Sequence, residues 1–433
     1  MSVAASDAVR TEVRDSYLDR GHGVLPWLFS LDHKRIAVLY LAGVVLSFLA
    51  GSVLAVAFRS QLLYPSSKLI SPAVFSRLFT LHGAMMVFLV LLPAIPAALG
   101  GFVLPLMLRA KNVALPRLYL AGFHLYLLGA TLLLAAVITG AADTGWDFLP
   151  PYSLTTGSSV ALTVLGALAL ALSALCTALT LLVTVQTLRP RGMGWSRLPL
   201  FAWSLYIQSA VLIVSLPLLC GALLLLLAER LGGFGLLTPA AGGDPALFEQ
   251  LFWFAAHPAM YVTLLPALGI VAEIVATFSG RAVAGYRVVV GSFLAMGICS
   301  FLGWGVHLVI GDQSGAASVI TSFLALSVAV PASLVLLNLL ATLRGGAIRL
   351  RSPMVLALGS LVLATAGAVS ALFRTLLPTA SVVAGTAFET GSLHFLVLGG
   401  TFTAFLAGLH YWWPKLFGRV YRERSALRTA QIA

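Results

Sequence analysis

Four histidines in this 433-residue chain stand where imidazole is costly, inside long apolar runs. His82 lies a few residues inside the outer end of the second run, and His394 about eight residues inside the outer end of the tenth. His257 is similarly placed in the sixth, and His307 near the outer end of the seventh. At 1.5 Å rise per residue all four sit roughly 8–14 Å below the same boundary. Imidazoles converging at one depth are suited to hold haem iron or copper. The plainer reading is that each hydrogen-bonds to a neighbouring helix. His257 and Tyr261 are four apart in His-Pro-Ala-Met-Tyr, so they share a helix face, and Pro258 between them should bend that helix. His22, His33, His124 and His410 fall outside the layer and read as surface, interface or packing residues.

The elements that must position these side chains are membrane spans. Sixty per cent of residues are hydrophobic, 9% are charged, and mean hydropathy is +1.01. Soluble domains carry roughly 25% charged residues, so the expected solvent is lipid. A spanning helix needs about 20 apolar residues. Ten such runs occur, near 36–58, 78–106, 118–141, 159–187, 200–228, 250–278, 288–311, 316–343, 353–375 and 386–414. The expected fold is therefore an all-α, polytopic membrane bundle of about ten helices. It forms a single membrane domain over 1–433, with a segment 1–34, the bundle at 36–414 and a basic tail at 415–433. The first twenty residues are polar and charged, unlike a cleavable signal peptide.

The net charge of +12 could suggest nucleic acid, but its distribution follows topology instead. With the N-terminus placed inside and spans alternating, all but five of the 26 basic residues fall on the cytoplasmic side. The five are Arg59, Lys68, Arg77, Arg230 and Arg374. This is the positive-inside pattern of a multi-pass protein in a bacterial cytoplasmic membrane, both termini cytoplasmic. Cys176, Cys220 and Cys299 lie in predicted spans without metal-site spacing and read as small packing residues.

Several stretches carry a likeness to a known family. They are Phe29 to Ile36, Thr80-Leu81-His82-Gly83, Gly100-Gly101-Phe102, Ala114 to Arg117, Thr144-Gly145-Trp146 and Pro150-Pro151. The most specific runs from Gly242-Gly243-Asp244-Pro245 through Gln250 to Phe254 and on to His257-Pro258 and Tyr261; Ala341-Thr342-Leu343 before Gly345-Gly346 adds another. Together they resemble subunit I of the haem–copper oxidases, the cytochrome oxidase superfamily, along nearly the whole chain. The resemblance implies a low-spin haem held by His82 and His394 and touched by Arg59. It implies that the binuclear centre is depleted. Ser392 stands where the high-spin haem ligand belongs, and Trp304-Gly305-Val306-His307 keeps at most one of two expected copper histidines. His257 and His307 are then remnant copper ligands, and Tyr261 matches the tyrosine linked to the first of them.

Expected proton-route residues are also replaced, by Ala259 or Met260, Asn112, Val335 and Ala384-Gly385. The family's last two helices are absent after the tenth span; either another subunit supplies them or the haem is anchored differently. Two acids remain in the spans. Glu273 reads as snorkelling near an interface, and Glu389 as lying one turn from the haem region, where it fills the vacated site or binds a proton there.

Three functions follow. The first is an electron-transfer subunit of a respiratory oxidoreductase complex. It carries one low-spin haem, b- or a-type, and no copper, beside membrane and periplasmic partners such as a cytochrome c or a copper protein. The second is a divergent but active terminal oxidase or nitric oxide reductase. The third is a membrane scaffold without a redox centre.

Overall fold

The computed structural model describes residues 16–19, 23–63, 69–308 and 315–432. His22, Lys68, most of the N-terminal segment and the end of the predicted seventh span lie outside them. Among the described residues the chain is helical and without strands. In chain order the long elements are α1 (His33–Arg59), α2 (Pro72–Met107), α3 (Pro116–Ile138), α4 (Val160–Thr187), α5 (Leu200–Gly232) and α6 (Pro245–Ser279). Then come α7 (Tyr286–Cys299), α8 (Gly315–Leu343), α9 (Ser352–Thr375), α10 (Ala387–Phe417) and α11 (Glu423–Ile432).

Nine of these are long and apolar enough to cross a membrane. They match nine of the ten predicted spans, usually with longer ends. The predicted seventh span, 288–311, differs. Its α-helix, α7, has 14 residues, about 21 Å of rise and less than the roughly 30 Å core. Ser300, Gly303 and Gly305 interrupt it, and His307 ends a single tight turn, Trp304–His307, rather than sitting in an α-helix. The predicted tail also holds the structured helix α11.

Local chemistry sets the ends. Asp32 caps α1 by accepting from the Lys34 N–H, Ser71 caps α2 at Val74, and Asp244 caps α6 at Ala246. Pro72, Pro116 and Pro245 open their helices, where a missing N–H costs nothing. Gly233, Gly280 and Gly418 close α5, α6 and α10 in the left-handed conformation.

α3, α4, α5 and α6 pack each against the next, α9 runs along α10, and both touch α6. Lipid provides no hydrophobic drive between spans, so close approach of small residues matters. A Cβ on Gly129 of α3 would lie 2.9 Å from the Gly166 carbonyl of α4. Side chains such as Leu46, Val53 and Val56 of α1 are exposed, as lipid-facing residues must be.

Glu273 does not snorkel. α5 starts after Pro199 without a side-chain cap of its own, and Glu273 of α6 reaches across to accept from the Phe201 N–H at 3.4 Å. A carboxylate at a helix N-terminus satisfies orphan donors and complements the dipole. Asn112 anchors a loop by donating to the Leu31 carbonyl at 2.9 Å, and Val335 is wholly buried.

Candidate functional site: two histidine pairs under one loop

His82 and His394 are brought together from α2 and α10. Their ring centroids lie 6.5 Å apart with planes only 7° from parallel. Each Nδ1 faces a main-chain carbonyl: that of Gly51 for His82, at 2.9 Å, and that of Thr390 for His394, at 2.7 Å. A ring that donates from Nδ1 keeps its lone pair on Nε2, the tautomer a metal ligand needs. Two metal–nitrogen bonds of about 2 Å, plus the distance of each ring centre from its own nitrogen, come to about 6 Å. The pair therefore fits a haem iron held between two imidazoles.

The local backbone is unusual at both positions. Wide π-helical turns begin at Met85, three residues after His82, and at Phe395, directly after His394. Such turns gather at functional sites because they re-aim the neighbouring side chains. Phe58 packs edge-on against His82 at 5.6 Å. Arg59 ends α1, exposed, and its positive charge bears on His82.

His257 and His307 form a second pair. His257 Nδ1 lies 2.9 Å from His307 Nε2, and the Tyr261 ring is 4.8 Å from the His257 ring. Trp253 stacks on His307 at 4.1 Å and 11°. His257 is 3% exposed, and among the described residues its buried Nε2 has no hydrogen-bond partner. Among the described residues no third His, Cys, Asp or Glu joins this pair in a group of three. The Ser392 hydroxyl donates to the Phe388 carbonyl one turn back at 2.8 Å. Glu389 accepts from Arg374 at 2.9 Å and from the Gly385 N–H at 3.0 Å, a half-exposed ion pair with Arg374 at the C-terminal end of α9.

The loop 139–159 packs against neighbours of both pairs. Gly145 donates to Thr80 Oγ1 at 2.9 Å, two residues before His82. Trp146 lies against Phe252 and Trp253, the latter at 5.8 Å, and Gly83 leaves it room: a Cβ there would come within 3.1 Å. Two charged groups hold the loop. Arg230 donates to the carbonyls of Ser153, Thr156 and Ser158 at 2.5, 2.7 and 3.0 Å. Asp143 accepts from Ser158, Tyr152 and Thr156. Burial raises the Asp143 carboxyl, but these hydroxyl donors outweigh it and hold the group below its ordinary range.

Trp253, Gly51, Thr390 and Arg230 were not singled out from sequence. Trp253 is four residues before His257 and Thr390 four before His394, spacings that put each pair on one helix face. Gly51 and Arg230 leave no such sign.

The family model for cytochrome c and quinol oxidase polypeptide I matches residues 35–432. The chain belongs to this subunit I family. Cytochrome c oxidase subunit 1 of Synechocystis is 31% identical over 424 residues, 98% of this chain and 76% of that one. Cytochrome c oxidase polypeptide 1 of Halobacterium salinarum is 34% identical over 410 residues, 93% of this chain and 68% of that one. The Bacillus subtilis subunit 1 is 31% identical over 406 residues, 93% of this chain and 65% of that one. A haem–copper terminal oxidase dimer solved by cryo-electron microscopy shares the fold, with TM-score 0.76 at 20% identity, covering 92% of this chain and 71% of that one. Subunit I chains are multi-pass membrane proteins that bind haems and copper and act beside other subunits of a respiratory complex.

Proposed function

We propose that this subunit I is an electron-transfer subunit whose oxygen-reducing site is degenerate. One low-spin haem, b- or a-type, is held between His82 and His394. The observation that carries this reading is the 6.5 Å, near-parallel pair with both Nδ1 atoms engaged by carbonyls. The haem, when bound, supplies one reversible electron. His82 and His394 would both ligate the iron, each through Nε2, because each Nδ1 is engaged by a main-chain carbonyl. Arg59 contributes positive charge beside His82. Ser392 turns its O–H back to the Phe388 carbonyl, and a serine hydroxyl is a poor substitute for a proximal imidazole. Donor and acceptor are partner subunits of the complex, such as a cytochrome c or a copper protein, in a bacterial cytoplasmic membrane with both termini inside.

A second reading, a divergent active oxidase, is favoured by the His257–His307 contact and by Tyr261 at its edge. Substitution separates the two. His82→Ala or His394→Ala should abolish the bis-imidazole haem spectrum, and His257→Ala should leave it intact. Equal haem loss in all three variants would refute the assignment.

A further inference from the structure

The helix α11 has a sharply two-sided surface. Glu423, Ala426, Leu427 and Ala430 are its covered positions, at the i, i+3, i+4 and i+7 spacing, and the helix lies against α9. Glu423 fixes it by accepting from the Ser352 N–H at 2.6 Å. Tyr421, just ahead, donates to the His410 carbonyl at 3.0 Å and meets the Ser352 hydroxyl at 3.2 Å. The helix is therefore pinned where α9 begins and α10 ends.

Its outward face carries Arg424 and Arg428, and Arg422 precedes it; all three are exposed. Arg349 and Arg351, in the approach to α9, are exposed at the same end of the bundle. Glu423, the nearby acid, is committed to α9. Among these charges stand exposed apolar side chains: Ile348 at 46%, Leu350 at 61% and Val420 at 84% exposure. Basic groups interleaved with apolar ones, on a helix fixed at the level where spans end, match the boundary between headgroups and acyl chains.

We propose that α11 and the 348–351 segment form a binding surface for anionic phospholipid. The guanidinium groups of Arg422, Arg424 and Arg428 hold the phosphate headgroup, and Leu350 and Val420 dip toward its acyl chains. The surface is independent of the haem assignment.

The test uses the full chain in neutral detergent micelles with fluorescent phosphatidylglycerol, and fluorescent phosphatidylcholine as the control. Phosphatidylglycerol should bind and phosphatidylcholine should not. The triple variant R422Q/R424Q/R428Q should bind about 100-fold more weakly, since each surface arginine contributes roughly fivefold. These residues are exposed, and unchanged helix content by circular dichroism will show that the variant folds. Millimolar inorganic phosphate should not compete. Equal binding of the two lipids, unaltered binding by the folded variant, or displacement by phosphate alone would overturn the proposal, the last by showing a free-anion site.

Discussion

Arg230→Met should unlatch the loop 139–159 that packs beside the two histidine pairs. Arg230 makes three hydrogen bonds to main-chain carbonyls, at 2.5, 2.7 and 3.0 Å, all within residues 153–158. A bond involving a charged group contributes roughly 1.5–3 kcal/mol. The guanidinium is half-buried and the freed carbonyls can meet water, so the lower end applies and the three do not add fully. About 3 kcal/mol of local stability is expected to go, or roughly two decades in the opening equilibrium. Amide hydrogen exchange of residues 154–160 in detergent-solubilised protein should therefore speed up about 100-fold. Exchange in the middle of α4 should not change. Arg230→Lys, whose compact ammonium cannot span three acceptors, should fall between the two. A change of less than about threefold in the loop, or an equal change in α4, would show that Arg230 does not act as this latch.

Three further outcomes follow from the same geometry. Asp143 is held below its ordinary pKa, so its contribution is full above the unfolded value of about 4 and is lost as pH falls through the folded value. Loop protection, corrected for intrinsic exchange, should stay flat from about pH 7 to 5 and fall below about pH 4, and Asp143→Asn should remove that dependence. Glu273→Ala should remove the cap on α5 at a cost of about 1 kcal/mol, seen as roughly fivefold faster exchange at Phe201 with no change at the α5 C-terminus. Gly129→Ala would force a methyl against the Gly166 carbonyl and should lower thermal stability by about 1–3 kcal/mol, whereas Gly221→Ala, which meets nothing within 4 Å, should be neutral.

The spans were legible because lipid leaves a plain record: apolar runs of membrane length, with charge between them. Hydropathy did not show where the helix of the seventh run stops, because Phe301, Leu302, Trp304 and Val306 read as apolar whatever backbone carries them; Ser300, Gly303 and Gly305 were the signal of an irregular stretch. The common depth of the four histidines was visible, and the structure brings them together as two pairs. Which histidine faced which came from the family resemblance, since periodicity within a helix says nothing of its partner. Glu273 and Glu389 were visible as costly acids, but their destinations were not. Each is satisfied by a group far off in sequence, the Phe201 N–H and Arg374 respectively. The carbonyls that set the histidine tautomers also escape a sequence reading, because every residue carries one.

The most direct test of the central proposal is a reduced-minus-oxidised spectrum of the purified protein, with haem and copper counted per chain and carbon monoxide added. One haem, no copper and no carbon monoxide shift is the predicted result, since on this proposal His82 and His394 would both ligate the one iron. Two haems with a carbon monoxide shift would contradict the account and return the oxygen-reducing reading to the His257–His307 site.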